Sequence, residues 1–407
     1  DLALDAAGNL FVTGRFRQTV DFGGQTLSSE QGLADGFVAS YASDGALRWC
    51  ERFGGGGDDE EGRGVAVASD GNVYLAGAVR PSTSSDVFVA GYRAVDGAPR
   101  WSQSFGGLRD DTGRAIAADD AGNVYVTGIF QDAADFGGGL LSSAGREDVY
   151  LASYAAADGS HRWSRRWGGE YNDYARNLVV EGGNLYYTGS FSYNVDYGGG
   201  EFLSAGRLDV LVASYAATDG AHRWSLFFGS AEQDQGHGIA VDRGGRVYAG
   251  GIFSGTADPG GGALTANGIW DAHLVSYGTA DGAHRWSDHF GGSGETWGYD
   301  LVVGPAGHLY YSGHFSGTTN FGGGDLTAAG GHDIFVASFT AEGVHRLSRR
   351  FGGLLNDLHE GGLAVDAAGS VYLTGLFLLA GDFAGTRLVV AGGGDVFVMK
   401  IAGATLP

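Results

Sequence analysis

Asp148-Val-Tyr-Leu-Ala-Ser-Tyr154, then Asp158-Gly159, then His161-Arg-Trp-Ser-Arg-Arg-Trp167 stand almost end to end in this chain. The Asp-Gly pair is a two-residue hairpin signal, because glycine accepts the positive φ that such a turn needs. The runs on either side are rich in β-branched and aromatic residues and read as antiparallel strands. Working outward, Ile116-Ala-Ala-Asp119 and Gly122-Asn-Val-Tyr-Val-Thr-Gly128 flank a second turn, Asp120-Ala-Gly122-Asn123. The result is four short strands, named a to d in chain order, with no helical period anywhere among them.

This unit recurs. An Asp opening strand c appears seven times, at Asp35, Asp86, Asp148, Asp209, Asp271, Asp333 and Asp395, with a period near 62 residues. A unit of that size cannot bury a core alone and must lean on its neighbours. Four-stranded antiparallel repeats of this length describe the blades of a propeller. The chain is therefore expected to be all-β, one domain over 1–407, a seven-bladed β-propeller with repeat units near 1–64, 65–114, 115–177, 178–238, 239–300, 301–362 and 363–407. Blade seven lacks a strand d after Asp395, and the chain starts inside strand a of blade one. A Trp/Phe-containing strand upstream of Asp1 is expected to close that blade.

Strand d carries paired aromatics four residues apart: Trp49 and Phe53, Trp101 and Phe105, Trp224 and Phe228, Trp286 and Phe290. Period two places each pair on one face, which should pack on the next blade. Leu347 takes the Trp position in unit six. An Arg precedes this position in every complete unit (Arg48, Arg100, Arg162, Arg223, Arg285, Arg346) and is expected to pair with an acidic neighbour across the blade.

Composition narrows the partners. Net charge is −22 and apolar residues make up 43%. Nucleic acid is disfavoured, because its phosphates need Lys and Arg; Lys400 is the only lysine. No apolar run of 18 residues suggests membrane insertion. Cys50 is the only cysteine, which rules out intrachain disulfides and argues against a cysteine metal site.

The stretch from Asp234-Gln-Gly236-His-Gly-Ile-Ala-Val-Asp242 to Tyr248, and Gly122-Asn-Val-Tyr-Val-Thr-Gly128, resemble the bacterial seven-bladed β-propeller repeat family of the secreted or surface type. The resemblance runs over essentially the whole chain. It implies the fold and an exported or cell-surface location, and it implies no shared activity. The long Asp-Phe-Gly-Gly-Gly loop departs from the family pattern. A second similarity, of Tyr215-Ala-Ala-Thr-Asp-Gly220 and Trp224 to the tryptophan repeat of quinoprotein dehydrogenases, is set aside: those enzymes have eight blades and typically an adjacent cysteine pair.

Three acidic series recur. One is the strand-c Asp; a second lies between strands b and c (Asp21, Asp135, Asp196, Asp258, Asp382); a third follows strand d (Asp59, Asp111, Asp173, Asp234, Asp357). Equivalent positions on adjacent blades would be on the order of 13–15 Å apart, given strands about 4.8 Å apart, so no single ion bridges two blades. Within a blade, a calcium site built from Asp135 with Asp148, Asp196 with Asp209, or Asp258 with Asp271 is one reading. Carboxylates capping loop amides is the other. No cofactor is required; calcium is the one that the residues leave open.

Departures from the repeat mark a specific site better than the repeat does. Trp270 lies in the b–c loop of blade five, and Trp297 in the linker to blade six, where Thr296 replaces the usual Asp. Tyr299 follows. Tyr171 and Tyr174 lie in the linker into blade four, and Tyr193 and Tyr197 in its b–c loop. Aromatics on loops can anchor a protein or stack on sugars, or fold back over glycine-rich loops. No Gly-x-Ser-x-Gly elbow, His-Glu-x-x-His or phosphate loop is present, and no catalytic residue is assigned. The expected function is a non-enzymatic binding scaffold, adhesin-like or lectin-like, acting through the loop rim of blades four to six as part of a larger assembly. The rival readings are a carbohydrate-binding lectin and a glycan-active hydrolase or lyase.

Overall fold

The computed structural model describes residues 1–30, 33–54, 59–80, 84–359, 361–383, 385–390 and 394–403. It is all β: no α-helix occurs among the described residues, and none is long and apolar enough to cross a membrane. The strands form the blade sheets of a seven-bladed β-propeller, paired antiparallel in the order a, b, c, d in blades one to six and a, b, c in blade seven among the described residues, with short two-stranded hairpins beside blades one, four and five. In blade three these are Thr112–Ala118, Asn123–Asp135, Leu140–Ala155 and His161–Trp167. In blade five they are Gln235–Val241, Arg246–Phe253, Asp271–Gly278 and His284–Phe290. Blade six (Thr296–Val303, Leu309–Asn320, Asp325–Phe339, His345–Gly353) gains the hairpin Ala380–Phe383 with Thr386–Val389 on its strand d, making six strands. Blade seven pairs Leu363–Val365, Val371–Phe377 and Asp395–Ile401, three strands among the described residues.

By its contacts the chain divides into two compact units. One holds 1–187, 191–202 and 214–223, and the other 188–190, 203–213 and 224–407. In the first unit the strand-d tryptophans pack as their spacing predicts. Trp49 donates its indole N–H to Ala94 O at 3.0 Å, Trp101 to Ala156 O at 3.0 Å and Trp163 to Ala217 O at 3.2 Å. Each indole lies against the Asp-Gly turn of the following blade. A Cβ on Gly220 would come 2.8 Å from Trp163, and Gly220 also needs φ +71. The second unit repeats the arrangement: Trp224 bonds Thr279 O and Trp286 bonds Ala341 O.

The b–c loop is where the chain turns back into its own core. Asp135 accepts from the Gly137 and Gly139 amides, which curls the loop and tucks Phe136 against Tyr150, ring centroids 4.1 Å apart. The middle glycine is pressed under strand d, for a Cβ on Gly138 would meet His161 at 2.2 Å. His284 and His345 cover Gly261 and Gly323 in the same way. The repeated histidines are therefore packing residues over the loop.

Two expectations are corrected. The Arg preceding the Trp is bonded to a serine in four units: Arg48, Arg162, Arg223 and Arg346 donate to Ser40, Ser153, Ser214 and Ser338 on strand c, and no ion pair of Arg48, Arg162 or Arg346 is found among the described residues. The acidic partner goes to a cation four residues further on, as in Arg52–Asp35 and Arg166–Asp148, because that position lies beside the strand-c carboxylate. Strand a also starts three to five residues earlier than the repeat units do in blades two to six. Its first half is a small–X–small stretch, such as Gly113-Arg114-Ala115, that carries little apolar signal. The register slips between Gly62 and Gly64, Gly113 and Ala115, Gly236 and Gly238, and Gly298 and Asp300. Arg63, Arg114, His237 and Tyr299 are thus bulge residues, pushed out of the ladder. The flanks are small because adjacent first strands nearly touch: a Cβ on Gly64 would lie 3.1 Å from Ala115 Cα, and one on Gly238 2.7 Å from Tyr299 O.

Candidate functional site

Three of the aromatic candidates meet in the second unit. The b–c loop of blade five is tied to strand a of blade six by Thr296 N donating to Trp270 O at 2.9 Å. That bond places Trp270 edge-on to Trp297, centroids 5.0 Å apart at 76°. Two residues on, the bulge turns Tyr299 out beside Trp297, the rings 15° from parallel at 6.2 Å. Gly298 between them has no room for a side chain, since the buried Tyr311 hydroxyl occupies the place of its Cβ.

Four histidines complete the cluster, none of which the repeat reading singles out. His237, the bulge residue of blade five, stacks on Tyr299 at 4.8 Å and on Trp297 at 6.4 Å. His314 lies against the same two rings, 5.9 Å from Trp297 and 5.2 Å from Tyr299. His359 meets Tyr299 edge-on at 6.3 Å, and His332 meets His314 at 5.2 Å. Glu295 joins the group: its Oε2 is 3.4 Å from the Trp297 indole nitrogen and 3.6 Å from His332 Nε2. Burial pushes His314 down to about 3, helped by the neighbouring imidazoles, and His359 down to about 4. Both are neutral at physiological pH. His359 is locked between Thr374 O and Ser312 Oγ, both at 2.8 Å. His314 Nδ1 is buried without a hydrogen-bond partner among the described residues. Trp270, Trp297 and Tyr299 remain partly accessible, and Ile269 beside them is 65% exposed.

The four tyrosines of blade four lie in the first unit and divide. Tyr171 and Tyr193 stack at 4.1 Å and 25° and are 40% and 52% exposed, with Tyr193 held at φ 57. Tyr174 accepts from Asn172 Nδ2 at 3.0 Å through its hydroxyl. Tyr197 is fully buried, and its carbonyl accepts from the Tyr215 hydroxyl at 3.1 Å. It occupies the place that Phe136 takes in blade three, so its side chain is core and not part of a surface. The sequence carries the signal, because Asp196-Tyr197-Gly198-Gly199-Gly200 is the blade-four copy of the Asp-Phe-Gly-Gly-Gly loop.

The acidic series act on the backbone. Asp135, Asp196 and Asp258 each accept two amides of their own loop. Asp148, Asp209 and Asp271 are buried and accept from Ala144, Ala205 and Asn267. The strand-c and linker series do come together. Burial, with a charge contribution from the other series, raises Asp111 to about 6, Asp173 to about 7 and Asp209 to about 6. The linker member in blade one is Glu60 and not Asp59: Glu60 N donates to Ala34 O as Asp111 N does to Ser85 O. Among the described residues no three His, Cys, Asp or Glu side chains are grouped as a metal would require. Calcium needs six to eight oxygens, whereas Arg166 or His289 already sits on Asp148 or Asp271. These carboxylates fit loop capping and do not fit a calcium cage.

Comparison with known proteins agrees with the architecture. The family described as beta-propeller repeat (SBBP) matches residues 100–128, from strand d of blade two through strand b of blade three. The regulatory protein FlaEY of Caulobacter vibrioides is 30% identical over 185 residues, 40% of this chain. The match spans about a fifth of that protein, 19% of its length. Similar solved structures include BamB from Moraxella catarrhalis (12% identity, 91% of this chain and 98% of that one, TM-score 0.36). Sqt1 from Chaetomium thermophilum is 13% identical over 91% of this chain and 77% of its own, with TM-score 0.46. The quinohemoprotein alcohol dehydrogenase from Comamonas testosteroni is 11% identical over 96% and 75%, with TM-score 0.44. Likenesses this distant say nothing about ligand or activity. The repeat match falls on one blade-to-blade stretch of the chain and agrees with the tandem antiparallel sheets of the seven-bladed β-propeller, a fold of which residues 100–128 carry the described repeat.

Proposed function

We propose that this chain is a non-enzymatic binding propeller, exported or displayed at the cell surface, that holds a protein partner on the aromatic–imidazole surface of blades five to seven. The observation that carries the reading is the stack of Trp297 and Tyr299 between His237 and His314, with Trp270 at its edge. Rings held by their neighbours lose little freedom on binding, and half-exposed Trp and Tyr are the side chains that most often anchor protein contacts. The imidazoles cover ring faces that a sugar would use, which favours a protein over a glycan. The resemblance to a regulatory protein points the same way.

A lectin role is the second reading, carried by the exposed Tyr171–Tyr193 pair, which offers an outward ring face. One pair of variants separates the two. Immobilised parent protein is compared with the Trp270→Ala/Trp297→Ala and Tyr171→Ala/Tyr193→Ala variants, on proteins of the source organism's exterior and on a glycan array. The expected result is a protein partner whose affinity falls by about 100-fold in the tryptophan variant, as for a hot-spot pair, and is unchanged in the tyrosine variant. Glycan binding lost only in the tyrosine variant would select the lectin reading. A partner retained equally by all three proteins would remove the proposal.

A further inference from the structure

The bulge residue that becomes an aromatic ring or imidazole in blades five and six is an arginine in blades two and three. Arg63 and Arg114 are pushed out of strands Glu61–Val67 and Thr112–Ala118, and Arg176 stands at the same sequence register in Tyr174–Glu181. These are neighbouring first strands of the first unit. Their backbones approach to near contact, with Ala115 Cα 3.1 Å from where a Cβ of Gly64 would lie. Three guanidiniums are therefore gathered on adjacent strands, all partly withdrawn from water.

The compensation at the centre of this cluster is incomplete. Glu61 pairs with Arg63 and also lies 3.5 Å from Arg15. Glu147 faces Arg114 at longer range and is itself bonded by Gln131 at 3.3 Å. Arg114 makes no hydrogen bond or ion pair of its guanidinium with the described residues, and its Nε is buried. Thr112 Oγ1, two residues earlier on the same strand, is buried and equally without a hydrogen-bond partner among them. Burial first, then repulsion from Arg63 and Arg176, pulls Arg114 down to about 10. A buried cation without a close counter-charge costs stability, and guanidinium forks on adjacent strands, near enough to repel one another, suit a tetrahedral oxyanion. The rest of the chain, with its net charge of −22, offers few other places for an anion.

We infer that the Arg63–Arg114–Arg176 cluster is a binding site for a divalent oxyanion, sulfate or phosphate, taken either as the free ion or as a substituent of a small sugar. The site belongs to the first unit and does not depend on the aromatic surface of the second.

The test is the melting temperature of the whole chain in sulfate, in phosphate and in a sugar phosphate, each against sodium chloride at equal ionic strength, with affinities by titration calorimetry. The parent is expected to gain roughly 3 °C or more from the divalent anions at saturation and nothing from chloride. The Arg114→Gln variant is expected to lose this response while melting at or above the parent without anion, since one of three repelling charges is gone. Arg114→Lys, which keeps charge but not the fork, is expected to bind about 10-fold more weakly. A gain from sugar phosphate well above that from the inorganic ions identifies the substituent as the natural form. A parent that does not distinguish sulfate from chloride, or an Arg114→Gln variant that responds as the parent does, would overturn the assignment. So would an Arg114→Gln variant that melts lower without anion and has no anion response to lose, which is the mark of a purely structural arginine.

Discussion

The Asp173→Asn variant is expected to melt at the parent's temperature at pH 4 and well above it at pH 8. Asp173 is fully buried, accepts the Gly169 amide at 2.8 Å and lies near the buried Asp148. Burial is the main cause that raises it from 3.8 to about 7; the Asp148 charge adds to the rise, while backbone amides and Arg166 oppose it. A carboxyl whose folded value lies above its unfolded value binds its proton more tightly when folded. Its contribution is full below pH about 4 and is lost as pH rises towards 7, where a buried group must ionise. A rise of that size corresponds to about 4 kcal/mol; a coupled, partly screened pair should show on the order of 2–4 kcal/mol. Asparagine keeps an acceptor for Gly169 and gains donors towards Asp148. Melting curves between pH 4 and 8 should therefore converge at the acid end, separate progressively between pH 4 and 7, and run parallel above pH 7. Curves parallel over the whole range would mean that Asp173 titrates normally. A variant that melts lower at pH 8, and a parent that melts lower in chelator, would mean that the carboxylates hold a cation after all.

Trp163→Ala should cost about 3–5 kcal/mol in denaturant unfolding. The indole is 8% exposed, tilts against Tyr125 at 6.1 Å, donates to Ala217 O and lies on Gly220. Its removal opens a cavity between two blades and orphans a carbonyl. Packing of neighbouring sheets is what a repeat array relies on for stability. Trp163→Phe should recover about half of the loss, because it restores the ring but not the hydrogen bond. A loss below about 1 kcal/mol for alanine would show that the inter-blade seam contributes little.

The seven copies, the strand order and the inter-blade tryptophans are legible in the sequence because each rests on a local signal repeated many times: an Asp-Gly turn, an alternating run, a four-residue aromatic spacing. What escapes a sequence reading depends on a register slip. Arg63, Arg114 and His237 sit inside small–X–small stretches that look like loop, Tyr299 sits between Gly298 and Asp300, and nothing local says that the middle residue is forced out of a ladder. His314 and His359 join the site from strand b and the following linker, contacts that only the tertiary fold creates. Tyr197 misleads for the opposite reason: its residue type looks like a departure, although its glycine-rich surroundings mark it as a copy. Trp270 and Trp297 stand out because they break the repeat, and the same logic applies to Tyr299.

One placement tests the functional account most directly. A photoreactive benzoylphenylalanine at Ile269, exposed beside Trp270, is compared with the same residue at Leu108, which is 92% exposed in the other unit. The account predicts that the protein partner crosslinks at 269, that the adduct disappears when Trp297→Ala is added, and that position 108 gives none. Equal crosslinking at both positions, or an adduct at 269 that survives the loss of Trp297, would contradict it.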